Sequence, residues 1–271
     1  MKTIIVATDF SAEAENALEY AAEAARNLNA KVILFNSFML PTHYANTLFP
    51  SSALDEIKTL NIASLKERAD KINTKYGVET LCLTSFLNME EELENIIKQH
   101  EADMIVMGTA QKSVMQDIFG NTTTTAIAKL KVPVLAIPMH AKYKGIKKIL
   151  FACDILRGVH SYILDRIKIF AEKMGAEIEI FHVHKQTGLI EDSYTKKKID
   201  VKLKNIHHSY KEVESNTVIK EIENEIKEIG ADLLIMVPYQ YGFWSSIVHA
   251  SKTRIMASNS EVPLLSIPVI K

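Results

Sequence analysis

Two short stretches of this chain carry residue types suited to gripping a polyanion. One is Thr8-Asp9-Phe10-Ser11, directly after an apolar run. The other is Gly108-Thr109-Ala110-Gln111, followed after a variable stretch by Gly120-Asn121-Thr122-Thr123-Thr124-Thr125. Phosphate needs donors that side chains do not shield. Glycine lets backbone amides approach the anion, and a helix N-terminus adds free amides and a favourable dipole. Gly120 with Asn121 and Thr122 fits that need, with the hydroxyls of Thr122 and Thr123 as further donors and Lys112 as a point charge. Asp9 is suited to accept from a sugar hydroxyl or to hold a divalent ion through water. Plainer roles stand beside these: Gly120-Asn121-Thr122 as a helix cap, and Asp9 as the cap of the helix after it.

Other chemistry finds less support. There are nine histidines. His182 and His184 alternate along a strand and are read as facing opposite sides, and the adjacent His207 and His208 diverge; neither pair has the helical spacing or nearby cysteine of a zinc site. No Gly-x-Ser-x-Gly stretch occurs, and no Gly-Lys-Ser/Thr follows the Gly108–Gly120 stretch as a Walker loop requires. Cys153 precedes Asp154, whose charge raises a thiol's pKa and works against a reactive thiolate. The expectation is no catalytic residue and no resident metal site.

These residues need elements to hold them. Apolar, β-rich runs alternate with helical periodicity, which argues for βαβ units and a parallel sheet. Strands are expected at Thr3–Thr8, Lys31–Phe38, Val78–Phe86, Met104–Gly108 and Val134–Pro138. Ser11 can cap a first helix whose stripe is Ala14, Leu18, Ala21, Ala22 and Ala25. Long helices are expected near Ala53–Tyr76 and Glu90–His100, with a last one after Gly120. Further on, strands are expected near Lys148–Cys153, Glu177–His184 and Leu233–Val237, and Glu191–Ser215 reads as a short helix and then a strand near His208–Val213. In such sheets ligands sit at the carboxyl ends of strands where the chain reverses direction.

The chain also repeats itself. Lys2–Phe10 matches Lys147–Ile155, Asn29–Phe35 matches Gly175–Phe181, Ala102–Met107 matches Ala231–Met236, and Val132–Pro138 matches Val262–Pro268. Order is kept, and the second copy is about 16 residues shorter in its middle. Units over 1–140 and 146–271 follow, joined by a polar, basic stretch around Met139–Gly145.

Composition bounds the rest. At 271 residues, 47% hydrophobic and 24% charged, the chain can bury a substantial core. A net charge of −1 gives no basic field for nucleic acid. No apolar run is long enough to cross a membrane, and the N-terminus reads as a first strand and not a signal peptide. Cys82 and Cys153 lie in apolar runs and suit buried thiols in a reducing cytoplasm.

Together these features resemble the universal stress protein family in its tandem two-domain form. The resemblance is carried by Ile5-Val6-Ala7-Thr8-Asp9-Phe10-Ser11, Ala102-Asp103-Met104-Ile105-Val106-Met107-Gly108-Thr109, Gly120-Asn121-Thr122 and Val132-Pro133-Val134-Leu135. It implies two doubly wound five-stranded α/β domains of Rossmann-like type, paired through their last strands as an internal pseudo-dimer, with outer helices left for a homodimer of chains. Many members bind ATP through a pattern Gly-x2-Gly-x9-Gly-Ser/Thr. Gly108 and Gly120 match its first and third glycines, and Thr8, Asp9, Asn36, Ser37, Thr109, Asn121 and Thr122 complete the implied site, with adenine near Ser37. The resemblance thus implies an ATP-binding regulatory module, with Mg2+ alongside and at most slow hydrolysis. Gln111 stands where the second glycine belongs, the stretch to Gly120 is one residue short, and Asn121 replaces Ser or Thr. In the second copy Val237 and Pro238 replace the first glycine region, which implies a degenerate site, with Tyr239, Tyr241, Phe243 and Trp244 filling it. The rival reading is a tandem stress protein without nucleotide that acts through protein or apolar-ligand contacts.

Overall fold

Apolar runs from both copies become strands of one sheet. The structure, a computed structural model, describes residues 2–38, 51–86, 88–109, 126–127, 129–184, 193–238 and 262–269. In chain order the first half holds β1 (Thr3–Ala7), α1 (Ala12–Leu28), β2 (Lys31–Ser37), α2 (Ser51–Tyr76), β3 (Thr80–Ser85), α3 (Met89–His100), β4 (Met104–Thr109) and β5 (Val134–Pro138). The second holds β6 (Lys148–Ala152), a 3-10 turn (Ile155–Arg157), α4 (Ser161–Met174), β7 (Glu177–His184), α5 (Ser193–Lys202), β8 (His208–Glu214), α6 (Val218–Ile229), β9 (Leu233–Met236) and β10 (Leu264–Ser266). The helix expected after Gly120 begins outside the described residues.

The ten strands run in the order β3-β2-β1-β4-β5-β10-β9-β6-β7-β8, which reads alike from either edge. All neighbours are parallel except β5 and β10, which pair antiparallel with Leu265 opposite Leu135. The sheet is α/β and Rossmann-like, with the doubly wound order 3-2-1-4-5 in the first half. Helices on both faces explain why β1 and β5 are buried at every position. Each fully buried aliphatic side chain there, such as Ile5 or Val6, contributes roughly 1.5–3 kcal/mol.

The repeated sequence has a local cause. Helices α1 and α4 end on left-handed residues, Asn29 (φ 51) and Gly175 (φ 61), and the following alanines, Ala30 and Ala176, donate back to Ala25 and Ala171 at 2.9 and 3.0 Å. Glu101 and Gly230 end α3 and α6 in the same conformation, with Ala102 and Ala231 donating to Ile97 and Ile226. The next residue in each copy is an aspartate that ties two strand starts together. Asp103 Oδ2 accepts from the Lys2 and Thr3 amides, and Asp232 Oδ2 from those of Lys147 and Lys148 at 2.8 and 2.9 Å.

The stretch Met139–Gly145 is packed, not loose. Asn16 of α1 donates from Nδ2 to the carbonyls of Pro138 and Ala141, both at 3.0 Å, and its Oδ1 accepts from Lys142 at 2.6 Å. Tyr143 is buried edge-on against Tyr20 of α1, and its hydroxyl accepts from Asn27 and reaches Met174 of α4.

Candidate functional site

The chain leaves β1 toward β2 on one side, and β4 lies on the other. Their carboxyl ends therefore form the crevice at which open α/β sheets hold ligands. Thr8 continues β1: its amide donates to Phe35 at 2.8 Å and its hydroxyl accepts from the Phe10 amide at 3.0 Å. That bond holds the turn in which Phe10 takes φ 66, a left-handed conformation costly for a bulky residue. Ser11 caps α1, accepting from the Ala14 amide. Asp9 braces the cap: its Oδ1 accepts from the Ser11 amide at 3.0 Å and from the Ser11 hydroxyl. The rest of its carboxylate is exposed beside the helix start, so the cap is Ser11 and not Asp9.

Asn36, next to last in β2, is 3% exposed. Its Nδ2 donates to the Thr8 carbonyl at 2.8 Å. Its Oδ1 is buried and has no donor among the described residues. A buried acceptor without a donor is costly, on the order of 1–3 kcal/mol, and marks a place for water or ligand. Ser37 beside it is half-buried.

Gly108 has a reason of its own. A Cβ there would lie 2.3 Å from the Glu13 carbonyl oxygen and 2.8 Å from the Ala14 nitrogen. The missing side chain lets the first turn of α1 sit directly on β4. Thr109 is buried, with its hydroxyl donating to the Ile137 carbonyl at 3.2 Å, away from the crevice and toward β5. The structure thus brings Thr8, Asp9 and Asn36 together, with Ser37 at the rim and Gly108 beneath α1. Gly120, Asn121, Thr122, Gln111 and Lys112 lie outside the described residues.

Arg68 of α2 escaped the sequence reading. Its guanidinium lies 4.6 Å over the Phe10 ring, donates to the Ser64 carbonyl and pairs with Glu15. Nothing in the local pattern around Arg68 marks it, because its partners belong to α1 and the turn before it.

In the second half Cys153, Asp154 and His182 stand where Thr8, Asp9 and Asn36 stand in the first. His182 Nδ1 lies 3.1 Å from the Cys153 carbonyl. Burial lowers the His182 pKa, so the ring is neutral at pH 7. The Cys153 thiol is pushed up by burial first and by Asp154 second, far from a reactive thiolate. Asp154 is buried, unlike Asp9. Val237, in place of Gly108, is part of the core. The aromatic stretch Tyr239–Trp244 lies outside the described residues. One expectation is corrected here: His182 and His184 share a face, their rings stacked at 5.8 Å. Side chains alternate with a period of two along a strand, so residues two apart point the same way.

A separate groove of about 1020 Å³ lies at the opposite edge, among Lys2, Arg26, Lys31, Glu79, Glu101 and Asp103. It flanks the amino ends of the strands, and its aspartate is already engaged by strand amides. No group of three or more His, Cys, Asp or Glu side chains among the described residues is arranged to hold a metal. No helix of the described residues is long and apolar enough to cross a membrane.

Fold and crevice together define a doubly wound, Rossmann-like α/β protein. The profile of the universal stress protein family matches residues 1–138, and the chain belongs to that family. A universal stress protein from Archaeoglobus fulgidus is similar over 98% of both chains, with a TM-score of 0.75 and 20% identity. A functionally unknown protein from Pseudomonas aeruginosa is similar over 99% of this chain and 92% of its own, with a TM-score of 0.59 and 14% identity. A family member from Arabidopsis thaliana, solved with AMP bound, matches 53% of this chain and 94% of its own at a TM-score of 0.37 and 15% identity. No curated protein matches the chain.

Proposed function

We propose that this universal stress protein binds ATP at the carboxyl edge of its first-half strands and serves in the cytoplasm as a nucleotide-responsive regulatory module. The observation that carries this reading is the buried Oδ1 of Asn36, without a donor among the described residues, near the exposed carboxylate of Asp9. Asp9 accepts from the ribose or holds Mg2+ through water, and the oxygen-rich set of Asp9 and Thr8 suits that hard cation. Gly120, Asn121 and Thr122 supply the phosphate amides, and adenine lies near Ser37. Asp9 is the one carboxylate of this set, and its Oδ1 is already engaged by the Ser11 amide and hydroxyl, so slow hydrolysis at most is expected. The second-half site is degenerate, since His182 fills the place of Asn36 and Asp154 is buried. The two units, 1–140 and 146–271, act as an internal pseudo-dimer, with further association of chains through outer helices.

A second reading has its own support. Gly108 is required by the close approach of Glu13, with or without a phosphate. On that reading the chain is a tandem stress protein without nucleotide, acting through protein or apolar-ligand contacts. Calorimetry of the full chain with ATP and magnesium separates the two. Binding that weakens roughly 10-fold or more in Asp9→Ala supports the nucleotide reading; no heat of binding in the wild type supports the rival.

A further inference from the structure

On the α6 side of the second half, a half-buried acid from a strand meets a buried acid from a helix. Glu179 lies in β7, in register with Leu150 of β6 and Ser209 of β8. Two and four residues on, Phe181 and Val183 pack with Val218, Ile222 and Ile226 of α6. Glu225 of α6, 3% exposed, belongs to the same buried face. Lys211, in register with Phe181, reaches Glu225 Oε2 at 2.6 Å, so the Glu225 carboxyl lies over the β7 face that carries Glu179. In Glu179 and in Glu225, Oε1 is buried with no donor among the described residues. Ionised carboxylate oxygens only accept, so two that face each other are both satisfied only with a proton between them.

The surrounding charges do not remove that need. Lys211 of β8 lies 2.6 Å from Glu225 Oε2 and 3.0 Å from Glu228 Oε1, so one ammonium serves two carboxyls. Lys148 of β6 donates to the Ile229 carbonyl and lies 4.0 Å from Glu177, which also faces His207 at 3.3 Å. Burial, then the hydrogen bond and charge of Glu225, push the Glu179 carboxyl up to about 7.

We propose that Glu179 and Glu225 share one proton that fastens α6 to the sheet, making this helix a latch that loosens when the proton leaves. The direction follows from linkage. Glu179 titrates higher in the closed state than in an open one, so the closed state holds more protons. The latch's contribution is complete below the ordinary carboxyl range and is lost as pH rises through about 7.

The test uses the full chain labelled at the glutamate carboxyl carbons, with amide hydrogen exchange of α6 measured from about pH 5 to about pH 8. The expected result is one carboxyl signal that moves near neutrality and disappears in Glu179→Gln. Protection of α6 relative to the sheet core should fall roughly tenfold over that range in the wild type and stay level in Glu179→Gln. The proposal is overturned if every wild-type glutamate titrates in the ordinary range, a result that needs no variant. It is also overturned if α6 protection follows one pH profile in both proteins.

Discussion

Asn36 and His182 reach from the same place in the two halves to the same target. Asn36 bonds the carbonyl of Thr8 at 2.8 Å, and His182 approaches that of Cys153 at 3.1 Å. Each side chain fastens the residue after a central strand to its neighbour, at the carboxyl edge of the sheet. In asparagine the amide oxygen remains a buried acceptor without a donor among the described residues. Asn36→Ala should lower stability by about 1–3 kcal/mol, because the buried Thr8 carbonyl loses its donor. Urea unfolding of the full chain measures this; an unchanged midpoint would deny the bond its role.

The two aspartate ties make a paired prediction. Asp103→Ala and Asp232→Ala each remove an acceptor shared by two strand-start amides. Each should cost about 1–3 kcal/mol. The sites lie in different halves, so the double variant should show the sum if unfolding stays two-state. A much smaller loss at Asp103 than at Asp232 would mean that the repeated aspartates do unlike jobs.

Glu101 occupies a left-handed cap that its counterpart fills with Gly230. That conformation costs a residue with a Cβ roughly 1–2 kcal/mol. Glu101→Gly should therefore raise the thermal midpoint, by an amount equivalent to about 1 kcal/mol. A lower midpoint would show that the Glu101 side chain offsets its own strain.

The strands were legible because parallel strands covered on both faces must be apolar throughout. Thr3–Ala7 and Val134–Pro138 leave little room for another reading. Helix ends were legible in part. The match of Asn29-Ala30 with Gly175-Ala176 marks a repeat, but only the backbone shows that Asn29 and Gly175 are left-handed caps. What stayed hidden depends on partners far apart in sequence. Arg68 of α2 finds Phe10 in the turn before α1, and Glu225 of α6 comes over the face of β7 that carries Glu179. The stacking of His182 on His184 was legible, since residues two apart on a strand share a face, and the sequence reading assigned it the wrong way. In the candidate site, the sequence singles out Asp9 and Asn36 as expected ligand residues, while the packing demand on Gly108 depends on Glu13, far away in the chain, and is not legible there.

That demand gives a fourth prediction. Gly108→Ala should destabilise the ligand-free protein by about 1–3 kcal/mol, since the new methyl cannot coexist with the Glu13 carbonyl. Faster amide exchange in the first turn of α1 should accompany the loss. A variant as stable as the wild type would show that the helix start moves freely, and Gly108 would then be a ligand residue alone.

The central claim concerns an adenine nucleotide at the edge formed by β1, β2 and β4. Crystals of the full chain grown with ATP and magnesium test it most directly. The account predicts nucleotide density with a polar contact at Asn36 Oδ1, the sugar or magnesium beside Asp9, and phosphates at the Gly120 amide. Density at another edge, or none in this crevice at a saturating nucleotide concentration, would contradict it.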